Sequence, residues 1–142
     1  MDMDQGLERF LAAQERIYPV ALAELRDGRK RSHWMWFIFP QLIGLGHSPT
    51  ANHYAIKSRA EASAYLRHPV LGARLLECTG AMLAVADSSV SEILGYPDNL
   101  KFRSSMTLFA EVSNPGSLFH QALDACFGGE PDQRTLDLLA KL

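Results

Sequence analysis

The stretch from Val70 to Val85, VLGARLLECTGAMLAV, carries the strongest helical pattern in this 142-residue chain. Its apolar residues recur at spacings of three and four, which places them along one broad face of a helix. We expect this helix to end near Asp87 and Ser88. The segments on either side repeat the same spacing, so this stretch indicates the class of the whole fold.

Segments upstream and downstream extend the pattern. The apolar residues from Leu7 to Tyr18 follow helical spacing, and so do those from Pro115 to Phe127. Proline lacks the amide hydrogen that a helix interior uses. Pro19 therefore predicts the start of a second helix, which ends at Gly28.

Several helix starts are marked by residues that cap a first turn. Ser48 stands before a proline, Ser58 and Ser89 each precede a glutamate by three positions, and Asp98 and Asp132 precede apolar runs. Such side chains accept hydrogen bonds from the free amides of a first helical turn. No segment shows the alternation of a strand over a strand's length. The sequence therefore predicts an all-α single domain, spanning the whole chain, with seven or eight helices.

Composition limits what the chain binds. The formal net charge is −2 at pH 7 and the basic residues are few. Nucleic-acid binding is therefore not expected, because proteins that bind nucleic acids concentrate several cations on one face. Cys78 and Cys126 lack the spacing of a redox or metal pair, and His47 and His53 lie too far apart to share a helix face, so no metal site is expected. No apolar run reaches the roughly 20 residues of a membrane span, and no signal peptide is evident. These features predict a cytoplasmic protein.

The segment from Ser32 to Gln41, SHWMWFIFPQ, holds both tryptophans of the chain. Ser32 is predicted to cap it, and its near-continuous apolarity fits a buried short helix or a strand equally well. One interpretation makes it a central core element. Under the other, Trp34 or Trp36 walls a pocket whose polar edges are His33 and Gln41. In either case Trp36→Ala should lower stability by about 3 to 5 kcal/mol, since truncating a large buried aromatic leaves a cavity.

Two groups of polar residues suggest an anion site beside this segment. Lys30 precedes the aromatics, and the glycine loop after them ends in Ser48 at a helix start, where free amides attract phosphate or carboxylate. Farther along, Lys101, Arg103 and Ser104 place two cations and a hydroxyl within a short helical stretch, a set that suits a phosphate or carboxylate clamp. The alternative is that the cations are ordinary surface charges and the serines bond back to the preceding turn.

Two blocks, HWMWFIFPQ at 33–41 and KFRSSMTLF at 101–109, resemble the uncharacterised bacterial and fungal family known as domain of unknown function 1810. The resemblance extends over nearly the whole chain. It implies a mainly α-helical single domain. It implies no established activity and no catalytic residues.

The favoured hypothesis is therefore a domain that binds an anionic small molecule, nucleotide-like or phosphate-bearing, in an aromatic pocket. Hydrolytic or transferase chemistry is compatible with such a pocket. The sequence does not indicate a cofactor. It predicts that Lys30 and Arg103 approach a common cleft with the loop 44–48. If Arg103 instead pairs with a carboxylate, for which Glu92 and Asp98 are candidates, its role is structural. The alternative is a protein-interaction or accessory module without catalytic activity, whose basic residues meet an acidic partner.

Overall fold

The computed structural model describes residues 3–85 and 89–142, and these segments are built from helices. Outside the helices, one isolated parallel bridge pairs Leu42 with Ile56. The all-α prediction is confirmed, with nine helices in the described segments where seven or eight were expected. The helices are α1 (Met3–Arg26), α2 (Met35–Ile38), α3 (Pro49–His53), α4 (Arg59–Arg67), α5 (Leu71–Ala84), α6 (Val90–Leu94), α7 (Asp98–Glu111), α8 (Leu118–Phe127) and α9 (Gln133–Lys141).

Helix α1 runs without a break through Pro19, so the prediction of two helices at its position was wrong. The inward-facing residues continue in register across the proline: Gln14, Ala21 and Leu25 are buried and Tyr18 is half-buried. Pro19 itself is exposed. The packing of one continuous face outweighs the single backbone hydrogen bond that the proline removes.

Helices α5 and α7 form the centre of the molecule. Helix α5 packs against α1, α2, α4 and α8, whereas α7 packs against α4, α6, α8 and α9. The two central helices meet where the Thr79 hydroxyl lies 3.9 Å from the Met106 sulfur. Helix α5 ends at Ala84; the predicted end near Asp87 and Ser88 lies outside the described residues.

Four of the predicted caps are confirmed. The side chains of Ser48, Ser58, Ser89 and Asp132 each accept a hydrogen bond from an amide in the first turn of their helices. Helix α8 is shorter than predicted and begins after its own cap, Ser117.

Two predicted caps were wrong. Ser32 does not cap the aromatic segment, because α2 starts after Trp34, and the Ser32 hydroxyl donates to Glu24 instead. Asp98 is the first residue of α7 and not its cap, which is Pro97. Both side chains are thereby free to make the longer-range contacts described below.

In the part of the chain that the structure describes, no helix combines the length and the apolarity needed to cross a bilayer.

Candidate functional site

A buried carboxylate organises the entry to the aromatic segment. Glu24, on the inner face of α1, accepts hydrogen bonds from the Arg31 amide at 2.7 Å, the Ser32 amide at 2.9 Å and the Ser32 hydroxyl at 2.6 Å. The indole nitrogen of Trp34 donates to the same carboxylate at 2.9 Å. Burial alone would raise the pKa of Glu24, but these donors together lower the pKa to about 2. The carboxylate is therefore ionised at neutral pH, and four uncharged hydrogen-bond donors stabilise its negative charge.

Trp34 is a core residue. Its side chain is 0% exposed, and its ring packs against Phe39 at a centroid distance of 6.4 Å. The ammonium group of Lys30 lies 5.2 Å from the centroid of the Trp34 ring. Since the ring is closed in and its N–H group is taken by Glu24, Trp34 does not wall a pocket.

Asp98 joins the two lysines of the predicted site. Its carboxylate lies 2.9 Å from Lys30 Nζ and 3.6 Å from Lys101 Nζ. Lys101 follows Asp98 by three positions, so the two side chains are neighbours on the surface of α7. One carboxylate thus serves two ammonium groups, and the longer contact goes to Lys101.

Trp36 takes part in a different environment from Trp34. Its side chain is half-buried, and the Lys101 ammonium lies 5.4 Å from the centroid of its ring. Trp36 lines a crevice together with Gln41, Gly46 and Tyr54. The enclosed part of this crevice measures about 10 Å³, about the space of one water-sized sphere. It admits one small group and not a whole ligand.

The glycine loop contributes a wall to the crevice and no helix-terminus site. An added Cβ at Gly46 would lie 2.6 Å from the Cβ of Ala51, so the loop approaches α3 too closely for a side chain. Helix α3 has only five residues, and the Ser48 hydroxyl already accepts from the Ala51 amide at 3.1 Å. The predicted role of Ser48 in anion binding therefore has no support beyond capping.

Arg103 lies on another side of α7 from Lys101, since two residues turn a helix by about 200°. Its guanidinium donates to the Glu130 backbone oxygen at 2.9 Å and to the Glu130 carboxylate at 3.3 Å, and it covers the Phe127 ring at 5.7 Å. Arg103 and Arg134 border a shallow depression of about 430 Å³, and Arg134 reaches the Gly44 carbonyl oxygen at 3.3 Å. Arg103 thus borders the same depression as Arg134, which contacts the glycine loop, but it pairs with a carboxylate that was not among the predicted candidates.

Ser104 joins α7 to α9. Its hydroxyl contacts the Leu100 carbonyl oxygen at 3.1 Å and the Asp132 carboxylate at 3.0 Å. The back-bonding alternative therefore describes Ser104. Its neighbour Ser105 is 0% exposed and has no hydrogen-bond partner.

The structure thus places Trp36 beside Gln41 in the crevice and beside the Lys101 ammonium, and Asp98 links Lys101 to Lys30. Of the other predicted site residues, Trp34 and Ser104 belong to the core, His33 and Ser48 are exposed, and Arg103 pairs with Glu130. Sequence reasoning missed the bridging role of Asp98 and the place of Tyr54. The three-residue spacing of Asp98 and Lys101 was the available signal for the first.

Other chemically suggestive groups have structural explanations. The Ser117 hydroxyl lies 2.7 Å from His120 Nδ1, but this hydroxyl caps α8 through the His120 amide, and neither residue lines the Trp36 crevice. Burial raises the pKa of the Cys78 thiol to about 12, which leaves it unreactive at neutral pH. Among the residues with described positions, no group of three or more histidine, cysteine or carboxylate side chains is arranged to hold a metal ion.

A larger groove of about 450 Å³ lies between α1 and the start of α5. Leu11, Glu15 and Val70 are among the residues that line it. None of the predicted site residues reaches it.

Comparison with known proteins gives one similar solved structure and one matching family model. In structure the chain is similar to the conserved hypothetical protein Rv1873 from Mycobacterium tuberculosis, whose crystal structure it matches with a TM-score of 0.92 and 53% sequence identity over 94% of this chain and 96% of that chain. No curated protein matches. The family model described as "Protein of unknown function (DUF1810)" matches residues 4–139. Since this match spans nearly the whole chain, the protein belongs to the DUF1810 family.

Proposed function

We propose that the protein binds an anionic small molecule carrying an unsaturated ring, with the anion at Lys101 and the ring against Trp36. The observation that carries the proposal is the placement of the Lys101 ammonium 5.4 Å from the centroid of a half-buried indole ring. Gln41 lines the crevice on which the same ring borders. A cation thus lies at the Trp36 ring and an amide lines the crevice beside that ring. A few polar groups around an aromatic surface are typical of a small-molecule site.

The charges favour an anion at this place. Lys30 and Lys101 share the single carboxylate of Asp98, and the tighter contact, at 2.9 Å, belongs to Lys30. Lys101 is the more exposed of the two lysines, with 29% of its side chain accessible against 10% for Lys30. An arriving anion therefore meets an ammonium group whose charge is only partly balanced.

The half-buried indole of Trp36 favours a ligand that carries an unsaturated ring. Stacked or edge-on contacts between unsaturated rings add roughly 0.5 to 1.5 kcal/mol beyond the area that they bury. Tyr54 lines the same crevice as Trp36 and offers a second aromatic surface. The small enclosed space behind them restricts the entering part of the ligand to one small polar group, for which Gln41 supplies an amide donor and acceptor.

A thermal-shift screen with nucleotides, sugar phosphates and aromatic carboxylates tests this proposal. A ligand at about 100 times its Kd stabilises the fold by roughly 2.7 kcal/mol. We expect wild-type protein to be stabilised by at least one ring-bearing anion, Lys101→Met to lose that effect, and Arg103→Met to keep it. Arg103→Met is the matched control because it removes a cation from another side of the same helix. Stabilisation that survives Lys101→Met and is lost in Arg103→Met would move the site to the depression beside α9.

A second candidate function rests on two exposed apolar side chains at the start of α7. Tyr96 is 80% exposed and Leu100 is 48% exposed, and both lie close in sequence to Asp98 and Lys101. Large apolar side chains beside cations suit a contact with an acidic protein. Under this alternative Tyr96→Ser removes binding to that protein, whereas the screen of small anions gives no stabilisation in any variant.

A further inference from the structure

We infer that Asp98 makes the site selective for singly charged anions, such as a carboxylate or a phosphodiester, over the doubly charged terminal phosphate of a monoester. The inference rests on the proposed function, because it concerns the anion that the function places at Lys101, beside the Trp36 ring. It narrows the substrate class from anions in general to one charge state.

The first step is the charge balance at the carboxylate. Asp98 lies within 4 Å of two ammonium groups, so the cluster of Lys30, Asp98 and Lys101 carries one positive charge in excess. A ligand with one negative charge balances that excess. A second negative charge on the ligand has no counterpart in the cluster.

Among the described residues, Lys30 and Lys101 are the cations that form salt bridges with Asp98. On α1, Glu24 is ionised and sits at the N–H edge of Trp34, whose ring also contacts Lys30. In the loop before the aromatic segment, Arg31 is paired with Asp27 at 2.6 Å. Arg29 on that loop and Glu92 on α6 are both exposed and carry charges of opposite sign.

The second step is the cost of removing charge from water. The attraction between a ligand and the cluster grows in proportion to the ligand's charge, but the desolvation penalty grows with the square of that charge. In a site with one excess positive charge, a dianion gains about twice the attraction of a monoanion while its desolvation cost is roughly fourfold larger. Asp98 therefore favours the monoanion, because its negative charge cancels one of the two lysine charges and leaves a single positive charge for the ligand.

Two ligands that differ by one methyl group test the inference. Phenyl phosphate is mostly dianionic above its second pKa of about 6, whereas methyl phenyl phosphate carries one charge at every pH used. By calorimetric titration at pH 8, we expect wild-type protein to bind the methyl diester about fivefold more tightly than phenyl phosphate. At pH 5 the preference should shrink to less than about twofold, because phenyl phosphate then carries one charge. The diester, whose own charge does not change, controls for changes of charge on the protein between the two pH values.

The Asp98→Asn variant sharpens the test. It raises the excess charge of the cluster by one unit, so phenyl phosphate at pH 8 should gain affinity by about tenfold and by more than the diester gains. Glu130→Gln, which removes the carboxylate paired with Arg103, should keep the wild-type preference. Equal or tighter binding of phenyl phosphate to wild-type protein at pH 8 would overturn the inference while leaving the proposed function intact. If neither ligand binds at either pH, the inference and the proposed function fall together. The wild-type pH comparison decides the matter even if Asp98→Asn does not fold.

Discussion

Trp34 and Trp36 stand two positions apart in the chain, yet the structure gives them opposite environments. Trp34 is 0% exposed and donates its indole N–H to Glu24. Trp36 is half-buried, lines a crevice and lies under the ammonium of Lys101. In each case the ring also has a lysine near it, so the cation alone does not distinguish the two.

The difference lies in what else each indole and its lysine contact. The lysine at Trp34 is nearly enclosed and held at 2.9 Å by Asp98, whereas the lysine at Trp36 is more exposed and lies 3.6 Å from the same carboxylate. Groups whose contacts are complete hold the fold together, and groups with spare capacity at the surface are free to bind a ligand. The Trp34 side is therefore structural, and the Trp36 side is the candidate site.

The largest expected effect is on stability at Trp34. Trp34→Ala should lower the free energy of unfolding by about 3 to 5 kcal/mol, because it opens a cavity and leaves the Glu24 carboxylate without one donor. Chemical denaturation at pH 7 measures this loss. A loss below about 1 kcal/mol would show that Trp34 is not the structural member of the pair.

The next effect is the loss of stability at low pH that Glu24 is expected to cause. Folding lowers the pKa of Glu24 from its ordinary 4.5 to about 2. A group with a lowered pKa stabilises the fold above its unfolded pKa, and this stabilisation is lost as the pH falls from about 4.5 towards 2. The loss of stability amounts to about 3 kcal/mol for this group, since a shift of one pKa unit corresponds to about 1.36 kcal/mol. In denaturation series between pH 6 and pH 2, Glu24→Gln should start less stable and decline less steeply; parallel curves would contradict the assignment.

A smaller effect is expected at Trp36. The sequence alone predicted a cost of about 3 to 5 kcal/mol for Trp36→Ala, on the assumption of a fully buried ring. Because the side chain is half-buried, the structure lowers the expected cost to about 1 to 2 kcal/mol. The same variant should abolish stabilisation by any anion that wild-type protein binds. A stability cost equal to that of Trp34→Ala, measured under identical conditions, would place Trp36 in the core as well.

The smallest effect applies the same comparison to two adjacent serines of α7. Ser105 is fully buried without a hydrogen-bond partner, whereas Ser104 contacts Leu100 and Asp132. Ser105→Ala should therefore leave stability unchanged or raise it by up to about 1 kcal/mol, and Ser104→Ala should lower it by about 1 kcal/mol. Thermal unfolding of the two variants side by side gives both values, and a reversed order would mean that Ser105 has a partner in solution.

Much of the fold could be predicted from the sequence because its signals are local. A serine before a proline, or three positions before a glutamate, predicts the cap of the helix that follows, and this held at Ser48, Ser58 and Ser89. The break predicted at Pro19 failed because the proline sits on the exposed face, while the buried face that carries α1 across it depends on tertiary packing.

The candidate site was less predictable, because its geometry depends on residues from separate helices. The roles of the two tryptophans are set by Glu24 on α1 and Asp98 on α7, and no spacing within the aromatic segment encodes those contacts. The pairing of Arg103 with Glu130 likewise depends on how the turn before α9 folds back onto α7.

Quenching of tryptophan fluorescence tests most directly whether the Trp36 side is open and attracts anions while the Trp34 side is closed. Iodide and caesium are quenchers of opposite charge, and Trp36→Phe leaves Trp34 as the single emitter. We expect iodide to quench wild-type protein more strongly than caesium does, the iodide-sensitive emission to disappear in Trp36→Phe, and Lys101→Met to remove the excess of iodide over caesium quenching. Equal quenching by the two ions in wild-type protein, or iodide quenching that persists in Trp36→Phe, would contradict the account.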